Sequence, residues 1–493
     1  MRLNRFYLCA CIAVACLDPA AATAKYEAAR ITPPAVPREF RGVWVATVDN
    51  IDWPSRKDLS TADQKSELLG IIDRAAKLKL NAIVLQVRPQ CDAIYPSQLE
   101  PWSEFLTGQM GRAPQPAWDP LAFAIAETHK RGIELHAWFN PYRAVHPANK
   151  GPVAAGHVSK TRPHLVRNYG KYLWLDPGER EVQDYSLAVV LDVVKRYDVD
   201  GVHFDDYFYP YQDKVGDKDV EFPDDASWQR FGASGKLSRN DWRRENVNQF
   251  VERVHKSIKD AKPWVKFGIS PFGIWRPGYP PQIKGYDAYE KLYADARKWL
   301  REGSVDYFVP QLYWPIAQQD QSFPVLLNWW HEQNPKRRHV WPGLATYKLN
   351  DGWKTTEIVN QIRLAEKQLP SAGHVHYSMK MVARNANLQS ELAAGPYAEA
   401  ALVPACGWLG VPKLSKPSLA TGTRSDGGVN FSWSLPAGES ANLWLVQTRN
   451  GSVWKSEISA LESKGFENAP DVVAVSAINR AGIQSAATIL RRK

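Results

Sequence analysis

A (β/α)8 barrel followed by a small all-β sandwich is the fold class that this sequence predicts, and three observations carry the prediction. From Arg41 onward, short apolar runs patterned at every second residue alternate with longer segments patterned at helical spacing, the signature of repeated strand–helix units. The strand candidates number eight, which is the closure number of the barrel. Near Val411-Pro412 the pattern changes to short strand-like runs separated by Gly, Ser and Asn, as in a sandwich.

The first residues read as a targeting segment. Arg2 and Arg5 precede an apolar run from Phe6 to Leu17, and Ala22-Thr23-Ala24 supplies the small residues a signal peptidase needs, so residues 1–24 are expected to be a signal peptide. Export to the periplasm or cell envelope follows. Read instead as a lipoprotein site, Ala13-Val14-Ala15-Cys16 would place a lipid on Cys16, the one membrane attachment the sequence offers, because no later stretch approaches the roughly twenty apolar residues of a spanning helix. Cleavage after Ala24 leaves Cys91 and Cys406, read as unpaired thiols. Residues 25–37 read as a linker.

The barrel is expected over residues 38–410. Its strand candidates are Arg41–Val48, Ala82–Arg88, Ile133–Asn140, Gly201–Asp206, Lys266–Phe272, Val305–Trp314, His339–Tyr347 and Gly373–Met379. Between them, Leu68, Ile71, Ile72, Ala75 and Ala76 fall on one stripe after Thr61, with Gln64 in capping-box position. After Ser238 the stripe is Val247, Phe250, Val251, Val254 and Ile258. The loops Gln90–Asp119, Tyr142–Glu179 and Tyr207–Leu237 are long, and in this fold the loops that follow strands build the active site.

Residues 411–493 form the sandwich, with strand-like runs at Gly428–Leu435, Asn442–Thr448 and Val472–Ala477. The stretch from Val473 through Asn479-Arg480-Ala481-Gly482 resembles the last hairpin of a fibronectin type III domain, which implies a spacer or docking module.

Composition narrows the function classes. The chain has 493 residues, 44% hydrophobic and 23% charged, the balance of a globular protein with a real core. Twenty Trp and twenty Tyr exceed ordinary packing demand, and flat rings stack on the apolar faces of sugars. The net charge of +10 favours anionic surroundings. The cations are dispersed and no nucleic-acid motif appears, so no nucleic-acid partner is expected.

In a barrel strand alternate side chains face the axis, so polar residues at inward positions near the carboxyl end are candidates for chemistry. On the fourth strand Val202 and Phe204 suit the helix side, which puts His203 and Asp205 on the axis side with Asp206 at the mouth. The same rule yields Asp49 on the first strand, Gln86 and Arg88 on the second, and His136, Trp138 and Asn140 on the third. It adds Gln311 and Tyr313 on the sixth, and His376 and Ser378 on the eighth. Glycosidic cleavage needs one carboxyl to protonate the leaving oxygen and usually a second as nucleophile or base. Asp205 is the first choice for nucleophile or base and Asp206 the nearest second carboxyl, with Asp49, Glu104 and Glu221 as alternative partners. His136, His203, His374 and His376 raise metal-dependent hydrolysis as a rival, but the first strand lacks the His-x-His of most such barrels. No cofactor or metal is expected.

Several longer motifs resemble one family. Phe40-Arg-Gly-Val-Trp-Val-Ala-Thr47, Gln86-Val-Arg-Pro89, Asp92-Ala-Ile-Tyr95, Leu99-Glu-Pro-Trp-Ser103, His136-Ala-Trp-Phe-Asn-Pro-Tyr-Arg143, the run Tyr197 to Pro210, Phe267 to Arg276 and Pro310-Gln-Leu-Tyr-Trp-Pro315 are similar to the family-ten-like glycoside hydrolases. The resemblance runs from about Arg38 to about Leu409. It implies a β/α-barrel glycosidase of the bacterial envelope acting on peptidoglycan glycan strands, particularly those stripped of stem peptides. Catalysis would fall to Asp205 and Asp206, with Arg88, Asn140, Tyr142, Arg143, His203, Tyr207, Trp275, Gln311, Tyr313 and Trp314 positioning sugar rings. True family-ten xylanases carry Glu at the ends of the fourth and seventh strands, where this chain has Asp205-Asp206 and Ala345-Thr346-Tyr347-Lys348, which speaks against xylanase activity. A non-catalytic sugar-binding barrel is the alternative; metal-dependent deacetylation or amide cleavage is a third.

Overall fold

The computed structural model describes residues 24–426 and 428–493. The expected signal segment up to Thr23, with Cys16, lies outside the described residues. Eight parallel strands form the central sheet: β1 (Glu39–Val45), β2 (Ala82–Arg88), β3 (Glu134–Phe139), β4 (Gly201–Phe204), β5 (Lys266–Ile269), β6 (Tyr307–Phe308), β7 in two pieces (His339–Val340 and Gly343–Leu344) and β8 (Ala372–His376). Each pairs with the next. β8 returns to β1 with His376 opposite Val43, so the sheet closes on itself. All eight expected strands are present, several of them shorter at their carboxyl ends.

Closure makes two cores. Outside the sheet, helices lay apolar stripes on the outward side chains, as when the helix Arg239–Ala261 buries Val247, Phe250, Val251, Val254 and Ile258. The helix Thr61–Lys77 buries Leu68, Ile72 and Ala75, but its N-cap is Ser60, whose hydroxyl accepts from the Asp63 amide at 3.1 Å. Gln64 does not close a capping box; its amide group donates to the Leu59 and Leu106 carbonyls at 3.1 and 2.8 Å, tying the helix to a neighbouring loop.

Inside the barrel, large rings interleave with glycines. Phe40, Trp44, Trp138, Tyr307, Trp341 and Val375 fill the axis, with Phe40 and Trp341 stacked at 4.0 Å. Gly268 makes room for one of them: a Cβ there would lie 2.0 Å from the Tyr307 ring. The lower barrel is therefore a packed floor, and the pocket on the barrel axis opens at the carboxyl ends of the strands.

Beyond the barrel, Ser418–Thr423, Val429–Ser434 and Ser463–Phe466 make one antiparallel sheet. Leu443–Asn450, Val453–Ser459, Val472–Ile478 and Thr488–Arg492 make the other. Phe431, Trp433, Trp444, Val446, Val473 and Val475 form the core between them. The segment expected as a linker contributes a strand: Tyr26–Ala28 pairs with Thr488–Arg492. The Tyr26 ring meets Phe431 edge-on at 4.9 Å, an anchor that polar linker residues could not supply.

The sandwich sits beneath the barrel, at the amino ends of its strands. Arg38 donates to the Gly482 carbonyl at 2.8 Å, and Arg480 donates to Asp198 at 3.0 Å. The strand mouths are left uncovered by it. Cys91 and Cys406 are both buried and unpaired. No helix of the described residues is long and apolar enough to cross a membrane.

Candidate active site at the barrel mouth

β4 ends at Phe204, and the chain then turns so that Asp205 and Asp206 both reach one pocket at the carboxyl end of the barrel. The pocket has a volume of about 190 Å³ and is walled by Trp44, Trp138, Tyr207, Tyr211, Tyr313, Tyr347 and Tyr377, with Ser270 and Gln311 as its uncharged polar side chains. That is smaller than the roughly 300–1,000 Å³ of sites for drug-sized ligands, a size suited to one sugar ring rather than to a long segment.

Each acid has its own set of donors. Asp205 Oδ2 accepts from Trp138 Nε1 at 3.1 Å and from Asn140 Nδ2, while Oδ1 accepts from the Tyr207 amide at 3.2 Å. Asp206 Oδ2 accepts from the Tyr211 hydroxyl. Burial, with the neighbouring Asp206 charge, pushes the Asp205 carboxyl up to about 7. Burial raises Asp206 as well. The Asp206 charge acts on Asp205, so the protonation of one carboxyl bears on that of the other.

The acids are held by a chain of supports. Asn140 Oδ1 accepts from Gln86 Nε2 at 2.7 Å and from Arg143 at 2.8 Å, so the amide cannot flip away from Asp205. Gln86 in turn accepts from the Thr47 and Val48 amides, both at 2.9 Å. Below the pocket, Trp44 Nε1 meets His203 Nε2 at 3.2 Å, and His203 Nδ1 meets the Tyr307 hydroxyl at 3.0 Å. Burial drives the His203 pKa down, so it serves there as a neutral ring that orients Trp44.

Of the residues expected to position sugars, Tyr207, Gln311 and Tyr313 line the pocket. Others do not, for identifiable reasons. Arg88 is buried under the mouth with Glu100, both oxygens of which lie 2.9 Å from its Nε, and it also holds the Asn140 and Pro141 carbonyls at 2.7 and 3.0 Å. Asn140 and Arg143 reach the acids and their supports rather than the pocket, and His203 lies one layer below. Tyr142 is buried against Phe250 on the helix side, 5.1 Å between rings. Trp275 stacks on Trp329 at 6.0 Å in a separate cleft, and Trp314 packs edge-on against Phe272 at 5.7 Å.

The alternative acids are also placed elsewhere. Asp49 is exposed in the turn after β1. Glu104 accepts from the Lys150 and Gly151 amides at 3.1 and 3.2 Å, and Glu221 is an exposed partner of Arg243 at 3.0 Å. On β8 the expected register is inverted: Val375 packs inside the barrel and Tyr377 reaches the pocket, while His374 and His376 face outward to the Tyr397 hydroxyl. The histidines offered as a metal set are thereby split between two layers. Among the described residues no group of three His, Cys, Asp or Glu stands close enough to hold a metal ion.

The sequence reading missed Tyr211, Ser270, Tyr347 and Tyr377 as pocket residues and did not count Trp44. Period-two alternation along β1, β5 and β8 could have found Trp44, Ser270 and Tyr377; Tyr211 and Tyr347 lie on irregular segments without a periodic signal. A larger cleft of about 400 Å³ lies under the barrel against the sandwich, but its charges pair with one another, His129 with Asp200 at 2.8 Å and Arg480 with Asp198 at 3.0 Å.

Residues 39–359, the span from β1 to the helix before β8, match the model of the family described as glycosyl hydrolase-like 10. The chain belongs to that family. Among glycosyl hydrolase-like 10 relatives, it is 42% identical over 404 residues to the glycosyl hydrolase YngK of Bacillus subtilis strain 168, covering 79% of this chain and 78% of that protein. It is 36% identical over 346 residues to the glycosyl hydrolase DigH of Escherichia coli K12, covering 65% and 76%. Among solved structures, the glycoside hydrolase domain of PgaB (BpsB) from Bordetella bronchiseptica is 15% identical with a TM-score of 0.49, covering 73% of this chain and 98% of that one. For this member of the glycosyl hydrolase-like 10 family, the matched span contains both acids, all their donors and every pocket residue except Tyr377.

Proposed function

We propose that the protein is an exported glycosidase that hydrolyses a β-linked amino-sugar polymer of the bacterial wall, with peptidoglycan glycan strands stripped of stem peptides as its substrate. One observation carries the reading: two buried carboxyls, Asp205 and Asp206, are the acids lining an aromatic pocket at the carboxyl end of a closed barrel. A carboxyl raised to about 7 beside a second carboxyl gives one acid to protonate the glycosidic oxygen and one group to act beside it. Indole and phenol faces hold a sugar ring by its C–H surfaces, and Gln311 and Ser270 offer polar partners to its hydroxyls.

The choice of polymer is supported by the resemblance of the barrel motifs to envelope glycosidases, by the targeting pattern read in the sequence of residues 1–24, and by a net charge of +10, which suits an anionic wall glycan. The sandwich is read as a fibronectin type III-like spacer or docking module. Incubation with intact and peptide-stripped peptidoglycan, followed by mass analysis of the fragments, tests substrate and bond together. Disaccharide-repeat fragments with new reducing ends, more abundant from stripped strands, are expected. Strands bound but never shortened would make this a sugar-binding barrel, and release of acetate or peptide would make it a deacetylase or amidase.

A further inference from the structure

The two acids stand on adjacent residues of one wall, and the wall that faces them carries none. Displacement at an anomeric carbon needs a proton donor at the leaving oxygen and a nucleophile on the opposite face of the ring, roles that paired carboxylates usually fill from either side of the scissile bond. Neighbouring Cα atoms are about 3.8 Å apart, so Asp205 and Asp206 approach a bound sugar from the same strand end. Across an eight-stranded barrel from β4 stands β8, and there the pocket is lined by Tyr377, flanked by Tyr347 and Trp44.

Among the described residues that line the pocket, none on that side is an anion. Asp52 is the acid closest to Tyr377 there, but its Oδ1 accepts from Ser378 Oγ at 2.6 Å and the Lys380 amide at 2.7 Å, and its Oδ2 from the Ala46 amide at 2.8 Å. It pins the loops after β1 and β8 together and does not line the pocket. Burial raises the hydroxyls of Tyr313, Tyr347 and Tyr377, so none supplies a phenolate. Attack from the far side therefore falls to a group that the substrate brings.

Resting on the glycosidase reading above, we propose that the nucleophile is the 2-acetamido group of the sugar in the pocket, which restricts the substrate class to N-acetylated hexosaminides. The acetamido carbonyl oxygen bonds to C1 as the C1–O bond to the leaving sugar breaks. Asp205 gives its proton to the departing oxygen, and the acetamido N–H donates to Asp206. Water then attacks C1 from the vacated side and returns a proton to Asp205 as the C1–acetamido bond opens. One water is consumed, the acetamido group is restored, and the anomeric configuration is retained.

The division of labour follows from burial and donors together. Burial pushes the Asp205 carboxyl up to about 7 against the bonds it accepts from Trp138, Asn140 and the Tyr207 amide, so it is the acid that holds a proton near neutrality. Asp206, which accepts from the Tyr211 hydroxyl and lines the pocket beside Gln311, is the second carboxyl and takes the acetamido N–H.

Peptide-stripped glycan strands offered in four forms test this: N-acetylated, de-N-acetylated, re-N-acetylated and N-trifluoroacetylated. At saturating strand, de-N-acetylation is expected to slow cleavage by about 100-fold or more, and re-N-acetylation to restore it. Trifluoroacetyl strands keep the shape but weaken the carbonyl, and are expected to be cut about tenfold slower or worse. The first-formed anomer, followed by proton NMR, should be the retained one. Comparable cleavage of de-N-acetylated strands, or inversion, would overturn the inference while leaving the glycosidase reading intact; no cleavage of any form would remove both.

Discussion

Trp138 Nε1 donates to Asp205 Oδ2 at 3.1 Å from the strand next to β4, and Asn140, two residues further along that strand, donates to the same oxygen. Two donors at a spacing of two on one strand are what inward alternation produces. They fix the acid before substrate arrives, which is the form of preorganisation that lowers a barrier without a cost at the moment of reaction.

Replacing Asn140 with Ala removes one of those donors and strands Gln86 Nε2 and the Arg143 guanidinium without their acceptor. A fall in kcat of about 100-fold with little change in KM is expected, together with about 1–3 kcal/mol of lost stability from the unpaired donors. Steady-state kinetics on stripped strands and a melt check both; wild-type kcat would show that Asn140 does not hold the acid.

The pH dependence follows from the raised Asp205 carboxyl. Catalysis needs one proton on the pair, so the rate is expected to fall about tenfold per pH unit above about 7. For stability the sign is that of a carboxyl whose folded value lies above its unfolded one. The native state holds the proton more tightly, so stability declines as pH rises from about 4 to about 7 and stays lowered beyond. Asp205→Asn removes that penalty: its Tm should exceed wild type at pH 8 and differ little at pH 4. Equal Tm values at pH 8 would contradict the burial argument.

Arg88 separates support from substrate binding. Its guanidinium is buried with Glu100 and two backbone carbonyls, so Arg88→Ala leaves an uncompensated buried carboxylate and should cost about 3–5 kcal/mol. A variant that melts like wild type but binds glycan weakly would return Arg88 to the substrate.

The underside contacts predict the behaviour of a chain ended at Gly410. Loss of the Arg38–Gly482 bond and of the apolar contacts of Leu402 with Leu445 and Ile478 should lower Tm, yet the closed sheet and its mouth lie wholly before the cut. A soluble, folded barrel that retains hydrolysis is expected by circular dichroism and activity; complete loss of soluble protein would contradict the division into two units.

The barrel and its acid pair were legible because both rest on strict periodicity. In Val202-His203-Phe204-Asp205 the apolar and polar residues alternate cleanly, and the structure keeps that register. On β8 the same rule misled, because His374 and His376 look like the functional set while Gly373 and Val375 look like packing. The register inverts since Gly373 leaves space for the Trp341 ring inside, 2.5 Å from where its Cβ would sit, and Tyr397 offers both histidines a partner outside. Arg88 does point toward the mouth, as read, but its partner Glu100 lies on a loop whose path no strand pattern reveals. Tyr211 was hidden for the same reason: its contact with Asp206 depends on how the loop after β4 folds back.

The most direct measurement compares wild type and Asp205→Asn on peptide-stripped glycan strands, counting new reducing ends at neutral pH while binding is followed in parallel. Wild type should shorten the strands, and the variant should still bind them while cleavage falls by about 100-fold or more. Undiminished cleavage by Asp205→Asn, or strands left intact by wild type, would contradict a glycosidase centred on this acid.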